Sequence, residues 1–248
     1  MRREVGGLND PGSWNLRKGT QVISVIPQQE LPARLADLRD PPKQLYIRGN
    51  RDCLDMPSVA IVGSRSCTSY GRSIARKWAY DLASRGIVIV SGLARGIDGD
   101  AHRGALEAPS GKTVAVLGCG IDRDYPSAHS DLAKRIELEG AVVSEYEPGI
   151  APAPWRFPAR NRIIAGLADV TLVIEARERS GSLITAEFAI EMERPVLVVP
   201  GDISGNTTGS NQLLREQRGQ LVLSPGDVIG WLESLHVLSE YTDEGGAA

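Results

Sequence analysis

The sequence predicts an α/β protein built on a mostly parallel, doubly wound sheet. Three observations predict it. Short Val/Ile-rich runs alternate with helical patterns from residue 59 to residue 223. Glycine numbers 27 while aromatic residues make up only 5% of the chain, the balance of a buried parallel sheet whose strand-to-helix turns need glycine. The first three apolar runs also lead straight into glycine-rich turns. With 248 residues and 42% hydrophobic content the chain can bury a full core, and one main domain is expected.

Residues 1–20 mix Gly, Asn, Pro and charge without periodicity and read as a flexible arm. From Val22 an apolar patch leads to a helix over Pro32–Leu38, the breaker Asp40-Pro41-Pro42 and an extended segment, Gln44–Asn50. Residues 21–57 therefore read as a lead-in packed on the main domain. Strands are expected at Val59–Val62, Ile87–Val90, Val114–Leu117, Ala141–Val143, Val170–Ile174, Val196–Val199 and Leu221–Leu223. Helices are expected at Gly71–Arg85, Asp98–Glu107, Ser130–Glu139, Thr185–Glu193 and Ser210–Gln217, with a further apolar helix after Arg162. Strands alternating with helices of this length imply right-handed crossovers between parallel strands. The domain is expected to span 21–235, and 236–248 to be a disordered tail.

Composition narrows the function. Cys53, Cys67 and Cys119 are widely spaced, with no C-x-x-C pair and no His at ligand spacing, so neither a disulfide framework nor a metal site is expected. No run approaches the roughly 18 apolar residues of a membrane span, and the N-terminus has no apolar signal region, which points to a soluble cytoplasmic protein. The formal charge of −3 excludes a protein that coats DNA with its whole surface. The charge is uneven, however: +3 over 1–50, +2 over 51–130 and −8 over 131–248. A nucleic-acid site would have to be a local groove.

Ligands of an open parallel sheet sit beyond the carboxyl ends of its strands. After Val62 comes Gly63-Ser64-Arg65-Ser66, after Val90 comes Ser91-Gly92-Leu93-Ala94-Arg95-Gly96-Ile97-Asp98, and after Leu117 comes Gly118-Cys119-Gly120. Glycine admits close backbone approach and N–H nests, serine adds a hydroxyl, and arginine offers a fork that fits phosphate oxygens. Taken singly, each glycine is explained by the turn alone; taken together, with Arg65 and Arg95 in equivalent places, the loops read as an anion-binding rim. None matches G-x-G-x-x-G or the P-loop pattern, so no dinucleotide cofactor is expected. Trp155-Arg156-Phe157-Pro158-Ala159-Arg160-Asn161-Arg162 mixes aromatics and arginines suited to stacking bases and holding phosphates, or else core aromatics with ion-paired arginines. Ser180-Gly181-Ser182-Leu183-Ile184-Thr185 adds a further loop, in which Ser182 or Thr185 serves as a rim donor or as a helix cap. A carboxylate facing phosphates would repel them, so Glu175 is expected to orient Arg160 or Arg162. Asp98 and His102 stand at helical spacing, and with Ser91 or Ser64 they would sketch a nucleophile and base. No G-x-S-x-G elbow supports that reading, so both residues are expected to shape the second loop and no catalytic residue is assigned. His129 and His236 read as surface residues.

Five ordered segments then resemble the signatures of the DNA-processing protein A family, also called DprA or Smf. They are Val59–Arg65, Ser91–Leu106, Phe157–Leu167, Ser180–Ala186 and Val199-Pro200-Gly201, within a match running from about Val22 to Trp231. The resemblance implies an extended Rossmann-like fold that binds single-stranded DNA in a positive pocket, forms a homodimer through its C-terminal part and delivers the strand to RecA during natural transformation, without catalysis. By the same resemblance Gly63, Ser64 and Arg65 would hold a phosphate, Gly92–Gly96 would shape the pocket, Arg160, Asn161 and Arg162 would line its far side, and Gly118–Gly120 would form a further wall. The segment Arg215–Gln220, with Gln220 where the family pattern has alanine, is the expected dimer face. The sterile-alpha-motif-like and winged-helix-like modules of longer family members are expected to be absent. The alternative is a nucleotide or phosphoribosyl ligand on the same rim, as in the related lysine-decarboxylase-like group; the P-G-G-x-G-T loop of that group is absent.

Overall fold

A computed structural model describes residues 16–18, 21–203, 205–235 and 237. Its strands are β1 (Leu16–Lys18), β2 (Gln21–Pro27), β3 (Gln44–Gly49), β4 (Ser58–Val62), β5 (Val88–Ser91), β6 (Thr113–Leu117), β7 (Ala141–Ser144), β8 (Val170–Val173), β9 (Val196–Val198) and β10 (Gln220–Leu221). They form one sheet in the order β1-β2-β3-β7-β6-β5-β4-β8-β9-β10. All pairings from β7 to β10 are parallel, and β1, β2 and β3 add an antiparallel edge. The expected mostly parallel, doubly wound sheet is therefore present, with every predicted strand in it. Leu16–Lys18 pair with β2, so that part of the expected arm is an edge strand; the rest of residues 1–20, and the expected tail apart from residue 237, lie outside the described residues.

The helices are α1 (Ala33–Ala36), α2 (Ser69–Ala83), α3 (Ile97–Glu107), α4 (Ser130–Glu139), α5 (Arg156–Leu167), α6 (Gly181–Glu191), α7 (Thr208–Arg215) and α8 (Pro225–Ser234). Alternation along the strands sorts the core into layers. Ala60, Val62, Val88, Val90, Val114 and Val116 face α5 and α6, joined by Leu35 of α1. Val59, Ile61, Ile87 and Ile89 face Ala75, Ala79 and Leu82 of α2, Ala101 and Ala105 of α3, and Val228 and Leu232 of α8. Ala115, Leu117 and Val142 pack with Leu132, Ala133 and Ile136 of α4. Helices on both faces leave the parallel strands no wet side, which is why those strands read as unbroken apolar runs.

The chain moves outward from β4 through β5, β6 and β7, and α5 then carries it back to β8 on the other side of β4. This reversal makes the carboxyl ends of β4 and β8 a topological switch point, where flanking loops diverge and leave a crevice. Contrary to the expectation of a helix after Arg162, α5 begins at Arg156, so the arginine segment occupies the first turns of the crossover helix. At its other end the guanidinium of Arg194 donates to the carbonyls of Ala165, Gly166 and Ala168 in the last turn and cap of the helix, and to that of Arg34. Arg34 in turn bonds Asp169, the Ser58 hydroxyl and the Met56 carbonyl, and α1 fits where Gly166 leaves no side chain in the way of Leu35. The lead-in is thus built into the bottom of the main domain.

A buried ion pair fixes the other margin of the lead-in. Arg48 on β3 is 1% exposed and meets Asp124 at 2.7 Å and Glu137 of α4 at 3.3 Å. Replacing it removes the cation shared by two half-buried carboxylates, a change that costs on the order of 2–3 kcal/mol. Arg48→Ala is expected to lower the unfolding free energy measured in urea by an amount of this size at unchanged m-value; a loss below about 1 kcal/mol would show that the pair is solvated and the edge independently stable.

Candidate nucleic-acid interface

A cleft of about 670 Å³ opens at the switch point. Its floor is the loop after β4, Gly63-Ser64-Arg65-Ser66; one wall is the start of α5, with Pro154, Phe157, Arg160 and Asn161, and the other is Arg177-Glu178-Arg179-Ser180-Gly181-Ser182 between β8 and α6. Asp98 and Tyr125 complete it.

The floor is held from three directions. The Ser64 amide donates to the Glu175 carbonyl at 2.6 Å, the Ile97 amide to the Ser64 carbonyl at 3.2 Å, and the Ser66 amide to the Ser64 hydroxyl at 3.1 Å. Gly96 caps α3 at φ +75°, and a Cβ there would stand 2.3 Å from the Ser64 carbonyl oxygen, so the second loop crosses the first only because this residue is glycine. Gly63 is constrained in the same way by Ile97 and the Glu175 carbonyl.

Arg160 is the buried hub. At 4% exposure its Nη1 donates to the carbonyls of Gly92 (2.9 Å) and Val116, tying α5 to the ends of β5 and β6, while its Nε is buried without a partner. Burial lowers its pKa to about 10, Asp98 opposing that fall and Arg65 adding to it. Asp98 accepts from the Gly92 amide at 3.2 Å; burial raises its pKa and Arg160 pulls the other way. Gly92 is required because a Cβ there would meet the Arg160 guanidinium at 2.6 Å.

The exposed cations are Arg65, Arg177 and Arg179. Among the described residues neither Arg65 nor Arg179 takes part in an ion pair; Arg65 lies over the Phe157 ring at 5.6 Å, and Arg177 donates to Asn206. Arg179 keeps φ at 62°, a left-handed conformation that costs a non-glycine residue about 1 kcal/mol or more. The start of α6 also belongs to the wall: Ser180 caps it, the Ser180 and Ser182 hydroxyls are 2.8 Å apart, and the Asn161 amide donates to the Gly181 carbonyl at 2.9 Å. Amides of a helix start beside free guanidiniums form a site for anionic oxygens.

Several expected roles are corrected. Arg162 pairs with Glu145 through both Nη atoms and with the Asp40 carbonyl, so it braces α5 against the lead-in and does not line the cleft. Glu175 orients neither Arg160 nor Arg162: its buried carboxylate accepts from the Thr68 amide (2.9 Å) and hydroxyl, fixing the start of α2. Ser91 is fully buried and donates to the Ile61 carbonyl at 2.7 Å. Arg95 is exposed but outside the cleft lining; Gly118, packed against Phe157, and Gly120, whose amide donates to the Ile150 carbonyl, are buried and also outside it. His129 is buried, its Nδ1 bonding the Leu93 carbonyl at 2.9 Å; His236 lies outside the described residues. Arg177, Arg179 and Tyr125 were missed. Two of them flank Glu178 between a predicted strand and the Ser180–Thr185 loop, and that position was the available signal.

His102 shapes β6 more than the second loop. Its Nδ1 lies 2.7 Å from the Thr113 hydroxyl, which itself donates to the Ile89 carbonyl at 2.6 Å. The hydroxyl proton is therefore committed, Nδ1 must carry hydrogen, and Nε2 is left as a buried lone pair without a partner.

A family model described as DNA recombination-mediator protein A matches residues 22–233. The chain belongs to that family. DNA processing protein DprA of Streptococcus pneumoniae is 46% identical over 203 residues, which cover 82% of this chain and 71% of that protein. Protein Smf of Escherichia coli is 41% identical over 211 residues, 84% of this chain and 56% of that one, so the chain spans little more than half of this relative. The solved structure of DNA processing protein A from Helicobacter pylori, reported for its unique single-stranded DNA binding mode, aligns with a TM-score of 0.78 at 33% identity, covering 86% of this chain and 96% of that chain. The Rossmann-like fold and the resemblance read from the five segments are thereby established.

Burial holds the His102 pKa at about 3, against 6.5 for the free side chain, with His129 and Arg103 contributing. Below pH 6.5 the unfolded chain binds a proton at this position that the native state refuses, so stability is lost as pH falls from 6.5 toward 3. Asp98, with its raised pKa, works in the opposite sense. In urea unfolding over this range, His102→Asn is expected to lose less stability on acidification than the parent; equal slopes would show that His102 does not supply the linkage.

Proposed function

We propose that this chain binds single-stranded DNA in the switch-point cleft with little sequence preference, and delivers it to the RecA recombinase in DNA uptake and recombination. The observation that carries the reading is the set of exposed Arg65, Arg177 and Arg179 guanidiniums around the α6 start, in a chain whose other cleft arginine, Arg160, is consumed by carbonyls. These groups match backbone phosphates, and phosphate contacts carry no sequence information, which is the chemistry of binding by charge rather than by sequence. Membership in a recombination-mediator family supports the hand-over to a recombinase.

The site acts by binding, without catalysis. His102 and His129 are both buried and spend their Nδ1 atoms on structural hydrogen bonds, and the Glu175 carboxylate is engaged by Thr68, so the acid-base groups one would enlist are committed to the fold. The chain works in the cytoplasm as a homodimer. Leu221 and Leu223, 55% and 70% exposed, stand at the β10 margin beside Arg215–Gln220 and support that face as the contact. A mononucleotide reading draws on one observation, a cleft volume within the range of small-ligand pockets.

Fluorescence anisotropy of labelled oligo-dT decides between them. Three phosphate-neutralising arginines give a slope of log K against log salt of about −2 for a single strand, and Arg65→Ala should reduce its magnitude by about 0.7 while weakening binding roughly tenfold on every sequence tried. Absence of oligonucleotide binding at low salt, with thermal stabilisation by a mononucleotide, would replace this reading with the second.

A further inference from the structure

The proposed site has phosphate chemistry, but its most visible aromatic is already occupied. Phe157 stacks on Tyr125 with ring centroids 5.3 Å apart, lies under Arg65, and presses its edge against Gly118, where a Cβ would stand 2.8 Å from Cδ1. A base that displaced these contacts would lose them in exchange. Trp155, two residues earlier, differs: its indole is 61% exposed although it is the largest apolar side chain in the segment. Covering that much apolar surface with a stacked base is favourable.

The indole is also held in place. The Arg156 guanidinium lies 4.6 Å from the Trp155 ring and 5.2 Å from the Tyr146 ring, and it donates to the Ala151 carbonyl. Tyr146, Arg156 and Trp155 thus form a ladder that ends in an exposed indole, with little rotamer freedom left to lose on binding. Pro154, Phe157 and Pro158 line the cleft while Trp155 does not, so the ladder stands on the rim, immediately outside it.

We propose that Trp155 is a base-stacking platform for a nucleotide that lies outside the cleft, on the strand whose phosphate occupies the cleft. This rests on the single-strand reading above and extends it: the cleft takes the backbone by charge, and the rim takes a base by its face. Stacking on an indole tolerates any base, in keeping with a cleft that holds the backbone by charge. It also sets a minimum strand length, because a ligand that fills only the cleft does not reach the rim.

The test compares oligo-dT of about 16 nucleotides, within the span of known single-strand sites, with a base-free strand of equal length that keeps every phosphate. The ratio of the two affinities is expected to fall about tenfold in Trp155→Ala and to recover most of that in Trp155→Phe. Intrinsic fluorescence of the parent should be quenched by oligo-dT, and this quench should be lost in Trp155→Ala, in which Trp14, Trp78 and Trp231 remain. An unchanged affinity ratio in Trp155→Ala, with Arg65→Ala still weakening oligo-dT, would overturn the platform and leave the cleft reading intact. Failure of the parent to bind either strand at low salt would overturn both.

Discussion

The architecture of the site depends on one buried guanidinium. Arg160 enters from the crossover helix and spends its donors on the Gly92 and Val116 carbonyls at the ends of β5 and β6, with the Asp98 carboxylate nearby to offset the cost of burial. Because it sits there, position 92 can carry no side chain, and Asn161 and Phe157, on the same helix, are delivered to the cleft wall. An arginine placed to bind ligand would be free to follow it. This one is a fixed strut whose guanidinium, almost wholly buried, forms part of the cleft wall.

The arginines divide accordingly. Arg34, Arg48, Arg160, Arg162 and Arg194 join elements distant in sequence: lead-in to sheet, β3 to α4, α5 to strand ends, α5 to Glu145, and α5 to the β9 side. Arg65, Arg177 and Arg179 are left exposed around a cleft. A chain with formal charge −3 can therefore gather exposed cations at one site, where Arg65, Arg177 and Arg179 outnumber the Asp98 and Glu178 carboxylates of the same lining. Local concentration of unpaired cations, not net charge, governs attraction for a polyanion.

Histidine chemistry follows the same division. His102 and His129 are closed into hydroxyl and carbonyl partners beneath the loops, and at His102 desolvation disfavours the charged form. They make the second loop and β6 rigid, and a rigid floor lowers the entropy lost when a flexible strand is bound.

By itself the sequence determined the strands, their parallel order of succession and the loops beyond them, since unbroken apolar runs and glycine at close approaches are local properties written residue by residue. It also carried the family likeness through five ordered segments. What only the tertiary structure decided was the partner of each charge. Arg160, Asn161 and Arg162 are consecutive and look alike as donors, yet a helix sends its successive side chains about 100° apart, so one goes into the strand ends, one to the cleft and one to Glu145. Glu175 met Thr68 rather than an arginine because the two meet across 107 residues of chain, a pairing that no local pattern encodes. Arg177 and Arg179 reached the site because β8 lies beside β4, and that adjacency arises from the reversal of strand order, not from any residue near them.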